Sequence, residues 1–199
     1  QDEQRSYTHE AARNELWEAR SRMSSYGRAL LVLILDEASD QRGNELATTL
    51  AGEVRNEGGL SWWALDRDPL LFDFADTSIE VTATAVQALA RRDPANPLVD
   101  RAVRWLMLNR RGGYWGTTKQ TAMALYGLVS VLEARNETAQ PFSVDVYVNG
   151  TMTGTQTFTA ASLTAPDPIV VTAPAREGAN AVRLVKKGGG TLYWSAKAT

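Results

Sequence analysis

Four aspartates, Asp66, Asp68, Asp73 and Asp76, crowd one stretch of the chain, and carboxylates gathered this way can act as general acid and base or hold Mg²⁺. Their spacing matches no metal loop. The plainer reading makes Asp76 or Thr77 the cap of the next helix and leaves the others solvating a long loop. Trp62, Trp63 and Trp115 could stack on sugars or line an apolar cavity, but tryptophans in Gly-rich interhelical turns more readily plug the end of a helical barrel. Thr117 and Thr118 could offer hydroxyls to a ligand, yet a Thr-Thr step before an apolar helix is first a capping signal. These five residues are the candidate structural or interaction positions. His9 sits among polar residues with no serine or carboxylate constellation and reads as a surface residue.

The 199 residues include no cysteine, and His9 is the only histidine. Disulfides, thiol nucleophiles and cysteine zinc sites are therefore excluded, and a Ser-His dyad would have to use His9. No catalytic or metal-binding residue is assigned, and no cofactor is expected, because P-loop and dinucleotide fingerprints are missing and Gly188 to Gly190 lies between strands. With Lys+Arg 21 against Asp+Glu 23, the charge balance gives no reason to expect nucleic acid as a partner. Arg110 and Arg111 read as cations near a helix C-terminus. The longest apolar run, Ala29 to Leu35, is far short of the roughly 20 residues that span a bilayer.

The elements that must position these residues fall into two regions. Through residue 139, apolar residues recur at helical spacing. Ala12, Leu16 and Ala19 form one stripe, residues 25–38 are apolar on almost every face, and Leu46, Leu50 and Val54 form a stripe again. A small-residue helix over 79–89 follows, then a stripe from Leu98 to Leu106, then an apolar helix over 122–132. Amphipathic and enclosed helices thus alternate three times, which predicts three outer–inner hairpins in two layers, part of an α/α toroid. The turns repeat as well, since Gly58-Gly59-Leu60-Ser61-Trp62 and Gly112-Gly113-Tyr114-Trp115 each lead into a small-residue helix. Three hairpins leave open edges, so further hairpins ahead of Gln1 are expected.

From residue 140 the composition turns to Val, Thr, Tyr and Gly. Phe142, Val144, Val146 and Val148 alternate with polar residues, and Asn149-Gly150 is a strong hairpin signal. Further strands are expected over 155–159, 169–172, 181–186 and 191–197. The fold class is therefore α+β with two parts, 1–139 helical and 140–199 an antiparallel, sandwich-like sheet.

The stretch from Ala102 to Ala122, with Trp105-Leu106, Gly112-Gly113-Tyr114-Trp115 and Thr117-Thr118-Lys119-Gln120-Thr121, resembles the end of the thioester domain of the alpha-macroglobulin and complement family. Ile79 to Leu89 resembles that family's preceding inner helix, and Tyr26 to Leu31 an earlier one. The tail, including Gly190-Thr191-Leu192-Tyr193-Trp194-Ser195, resembles the closing strands of its CUB-like domain. Lys119 departs from the family's usual Gln, and without cysteine the thioester signature Cys-x-Glu-Gln has no place in this chain.

The resemblance implies the C-terminal part of a thioester-type toroid plus CUB-like strands, taken from a larger bait-and-trap endopeptidase inhibitor that meets proteases. The Ala- and Arg-rich, cysteine-free composition suggests a bacterial form, in the periplasm, at the cell envelope or outside the cell. The chain itself would be scaffold and moving surface, contacting other domains of its parent and catalysing nothing. Two other classes stand beside this one. One is an α/α-toroid enzyme, terpene-cyclase-like or polysaccharide-degrading, using the aspartates and tryptophans of 62–76, although the Asp-x-Asp-Asp motif of a cyclase is missing. The other is a non-inhibitory surface or adhesion module.

Overall fold

The computed structural model describes residues 2–65, 77–137, 140–159 and 176–189, together with 172, 192 and 194. The chain divides into two compact units, Gln1–Asn136 and Glu137–Thr199. Among the described residues it is a mixed α+β protein of six α-helices and two small antiparallel sheets.

The helical unit runs α1 (Asp2–Ala19), α2 (Ser25–Glu37), α3 (Arg42–Gly52), α4 (Ser78–Arg92), α5 (Pro97–Leu108) and α6 (Thr118–Ala134). Local chemistry sets several starts. The Ser24 hydroxyl accepts from the Gly27 N–H at 3.2 Å, and Asn96 Oδ1 accepts from the Leu98 N–H at 3.0 Å with Pro97 in the first turn. Thr77 stands at the N-cap of α4, but its side chain makes no capping bond there. Before α3, Asp40 receives the Arg42 backbone N–H at 3.0 Å and Nη2 of the same residue at 2.5 Å. The Arg42 guanidinium holds the Asp40 carboxyl below its usual range, and the carboxylate in turn raises the Arg42 pKa.

Helix α4 is the centre of this unit. It packs against α2, α3, α5 and α6 and buries nearly every residue from Ser78 to Ala90. The small side chains of 82–90 permit that enclosure, and at Gly127 of α6 the backbones come so close that a Cβ would meet the Ala83 carbonyl oxygen at 2.7 Å. Helices α2 and α6 are less enclosed than their apolar sequences predict, since Leu30 and Ile34 of α2 and Leu125, Tyr126, Val129 and Leu132 of α6 are exposed. Each of these helices has its neighbours on one side only, which composition does not encode.

The turn between α3 and α4 carries a short hairpin, β1 (Arg55–Glu57) and β2 (Leu60–Trp62), closed by Gly58 and Gly59 at positive φ. Between α5 and α6 a tighter version pairs the Arg111 and Tyr114 backbones, N–H to O, at 2.8 and 3.3 Å.

The second unit holds β3 (Phe142–Val148), β4 (Thr151–Phe158) and β5 (Val182–Gly188), in the order β4-β3-β5. β4 begins four residues before the sequence suggests. Asn149 and Gly150, both at positive φ, turn the chain in two residues, and Val148 pairs with Thr151 at once. On one face Phe142 stacks on Phe158 beside buried Val144 and Val146. On the other, buried Asp145 accepts from Lys187 Nζ at 2.7 Å and from the Thr155 hydroxyl at 2.8 Å. These bonds lower the Asp145 pKa, and the carboxylate raises that of Lys187. The strands expected over 169–172 and 191–197 lie outside the described residues, apart from 172, 192 and 194, which are not in strands.

Candidate functional site

Trp62, Trp63, Trp115 and Thr117 lie in the connections from α3 to α4 and from α5 to α6. At the C-terminus of a helix the last carbonyls lack intrahelical partners, and at the N-terminus the first N–H groups do. In two of the turns a tryptophan donates to a carbonyl near the end of the outgoing helix and exchanges hydrogen bonds with a threonine of the incoming one. Trp63 is fully buried, and its Nε1–H donates to the Leu50 carbonyl in the last turn of α3 at 2.7 Å. Its backbone N–H donates to the Thr82 hydroxyl of α4 at 3.0 Å, and that hydroxyl donates back to the Trp63 carbonyl at 3.2 Å.

The same construction recurs in the next hairpin. Trp115 Nε1–H donates to the Leu106 carbonyl near the end of α5 at 2.7 Å. The Trp115 backbone N–H donates to the Thr121 hydroxyl at 3.0 Å, whose own hydrogen is shared between the Trp115 carbonyl at 3.1 Å and the Thr117 carbonyl at 2.9 Å. A tryptophan indole therefore clamps the outgoing helix while its backbone is clamped by a threonine of the incoming one. The repeat seen in the sequence is a repeat of hydrogen bonds.

Around these two locks the other candidates take structural places. Trp62 is half-buried and stacks on Trp105 of α5, with centroids 6.0 Å apart and planes 8° from parallel. Thr117 is the N-cap of α6, its hydroxyl accepting from the Gln120 N–H at 3.1 Å, while Thr118 is exposed in the first turn. His9 is exposed on α1, and Arg110 and Arg111 are exposed beyond the end of α5. Asp66, Asp68, Asp73 and Asp76 lie outside the described residues. Among the described residues no group of three or more histidines and carboxylates is placed to hold a metal.

One ionisable group of this region escapes sequence reasoning. Glu80 is buried in the first turn of α4, where the partial positive charge of the helix terminus favours a carboxylate. Gln120 Nε2 donates to it at 3.3 Å, and Lys119 Nζ lies 4.0 Å from its other oxygen. The Thr82–Thr121 equivalence places Lys119 at the repeat position of Glu80, so the two repeats meet through opposite charges at matched sites. Trp105, Thr82 and Thr121 were also missed as partners. The only signal for the threonines was the parallel between Val81-Thr82-Ala83 and Gln120-Thr121-Ala122.

The Trp63 and Trp115 indoles and the Thr82, Thr117 and Thr121 hydroxyls are engaged with backbone groups, and the buried Glu80 carboxylate faces two neighbouring side chains. No family model matches the chain, and the comparison with curated proteins gave no match.

Proposed function

We propose that the chain is part of a bacterial alpha-macroglobulin-like bait-and-trap endopeptidase inhibitor, in which it serves as scaffold and moving surface and supplies no catalytic residue. On this reading the three helix pairs are the C-terminal part of an α/α-toroid, thioester-type domain, and the three-stranded sheet belongs to a CUB-like domain. The setting is the periplasm, cell envelope or extracellular space, and the partners are proteases together with other domains of the parent polypeptide. No cofactor and no nucleic acid enters.

The observation that carries the reading is the duplicated tryptophan–threonine lock. The segment that resembles the family, Ala102 to Ala122, contains one of the two locks that fix an outgoing helix to an incoming one. A domain displaced as a body when a bait is cut must keep its helices in register, and the locks at the α3–α4 and α5–α6 turns favour that.

The test uses the native parent polypeptide with an endopeptidase. After a brief incubation, protease activity is measured on a large protein and on a small peptide. A trap suppresses hydrolysis of the large substrate and leaves the small one cleaved. Equal activity on both, with and without the polypeptide, refutes the proposal.

A further inference from the structure

Of the asparagines in the sequence, Asn149 alone is followed by glycine. That pair is chemically labile, because no Cβ at Gly150 hinders its backbone nitrogen. The Gly150 nitrogen can attack Asn149 Cγ, forming a five-membered imide as ammonia leaves. Water then opens the ring at either carbonyl and gives aspartate or isoaspartate. The attack requires the side-chain amide to turn onto the Gly150 nitrogen, so its rate depends on what holds that amide.

In the folded β unit both ends of the amide are held. Asn149 Oδ1 accepts from the Ala181 N–H at 3.0 Å, and Nδ2 donates to Asn180 Oδ1 at 2.9 Å. The Asn149 backbone N–H donates to the Ala181 carbonyl at 2.8 Å. Asn180 is fixed in turn: its Oδ1 also accepts from the Arg176 N–H at 2.9 Å, and its Nδ2 donates to the Arg176 and Gly178 carbonyls at 2.9 and 3.1 Å. A flipped Asn180 amide would set its oxygen against two carbonyls, so Asn180 offers Asn149 only an acceptor. Gly150, Asn180 and Ala181 are nevertheless exposed, so water reaches the site. The contact between the hairpin tip and residues 176–181 therefore opens by breaking exposed hydrogen bonds, which makes it a low-stability part of the unit.

We propose that Asn149 is a deamidation site gated by this contact. While the tip of the β3–β4 hairpin holds residues 176–181, the amide is kept from the Gly150 nitrogen, and release of the contact lets the ring close. Conversion runs one way. The product aspartate lacks the Nδ2 donor and sets an oxygen against Asn180 Oδ1, two acceptors with no hydrogen between them. Isoaspartate also carries the backbone through the former side chain and adds a carbon to a turn that fits two residues, between paired Val148 and Thr151. The contact then stays open, and the residue records that the β unit has opened. This rests on the hairpin alone and not on the inhibitor reading.

Peptide mapping by mass spectrometry tests the proposal on the native parent polypeptide, incubated in mildly alkaline buffer with and without guanidinium chloride. Conversion at Asn149 is expected to be at least about tenfold slower in the folded protein, which corresponds to about 1.4 kcal/mol of opening free energy. Asn180→Ala removes the partner of Nδ2 and is expected to speed conversion severalfold, while amide exchange over β3 and β4 stays slow and verifies that the unit remains folded. Asn149→Asp stands in for the product and is expected to speed amide exchange over residues 176–181. Equal rates in the folded and unfolded protein, an Asn180→Ala variant that stays folded and converts no faster, or unchanged exchange over 176–181 in Asn149→Asp overturns the gated site.

Discussion

Replacing Thr82 with valine keeps the shape of the side chain and removes its hydroxyl. The Trp63 N–H and C=O both meet that hydroxyl, at 3.0 and 3.2 Å, and both residues are fully buried. No cavity opens, so the cost is the desolvation of polar groups left without this partner, about 1–3 kcal/mol for each. Summed over donor and acceptor, about 2–6 kcal/mol is expected. Thr121→Val removes the equivalent hydroxyl beside Trp115, but Thr121 is partly exposed, and water can take over there. A cost of about 1 kcal/mol follows.

Urea unfolding followed by tryptophan fluorescence measures both, since five of the six tryptophans lie in the helical unit. With a slope of about 2 kcal/mol per molar, Thr82→Val should lower the midpoint by about 1–3 M and Thr121→Val by about 0.5 M. Thr82→Ser keeps the hydroxyl and loses one methyl, about 0.8 kcal/mol. If Thr82→Val costs no more than Thr82→Ser, or no more than Thr121→Val, the lock does not act through its buried hydrogen bonds.

Gly127→Ala tests the α4–α6 approach, because alanine gains about 1 kcal/mol of helix propensity while its Cβ would sit 2.7 Å from the Ala83 oxygen. A fall in Tm is expected and a rise would contradict the packing, whereas Gly52→Ala at the end of α3, with nothing within 4 Å of the new Cβ, should leave Tm unchanged or raise it. The β unit should lose stability at both pH extremes. Asp145 has its pKa lowered by Lys187 and Thr155, so its contribution is complete above the ordinary value of 3.8 and is lost as pH falls through the lower folded value. Lys187 has its pKa raised by Asp145, so its contribution is complete below 10.5 and is lost as pH rises through the higher folded value. Chemical denaturation across pH should show both losses in the wild type and neither in Asp145→Asn, and identical profiles would refute the assignment.

The helices were legible because periodicity is a local property. The stripe of Leu46, Leu50 and Val54 and the small residues of 79–89 each gave an element near its place, and Asn149-Gly150 gave the turn of the β-hairpin. Enclosure is not local. Helices α2, α4 and α6 read alike as apolar on many faces, yet only α4 has neighbours all round, and nothing in the residues of α2 announces that Leu30 and Ile34 face outward. Of the site, Trp63, Trp115 and Thr117 were visible as turn residues. Thr82 and Thr121 were not, because a threonine inside a helix signals nothing until its partner across the turn is known. Glu80 stayed hidden for a like reason, since a carboxylate in a first turn usually faces solvent and this one is covered by the neighbouring repeat.

The most direct measurement on the central claim is the native mass of the parent polypeptide before and after limiting endopeptidase. The account predicts cleavage confined to one short region, followed by a stable complex whose mass includes the protease. It is contradicted if the polypeptide is cut at many places, or is left intact, and the protease elutes alone.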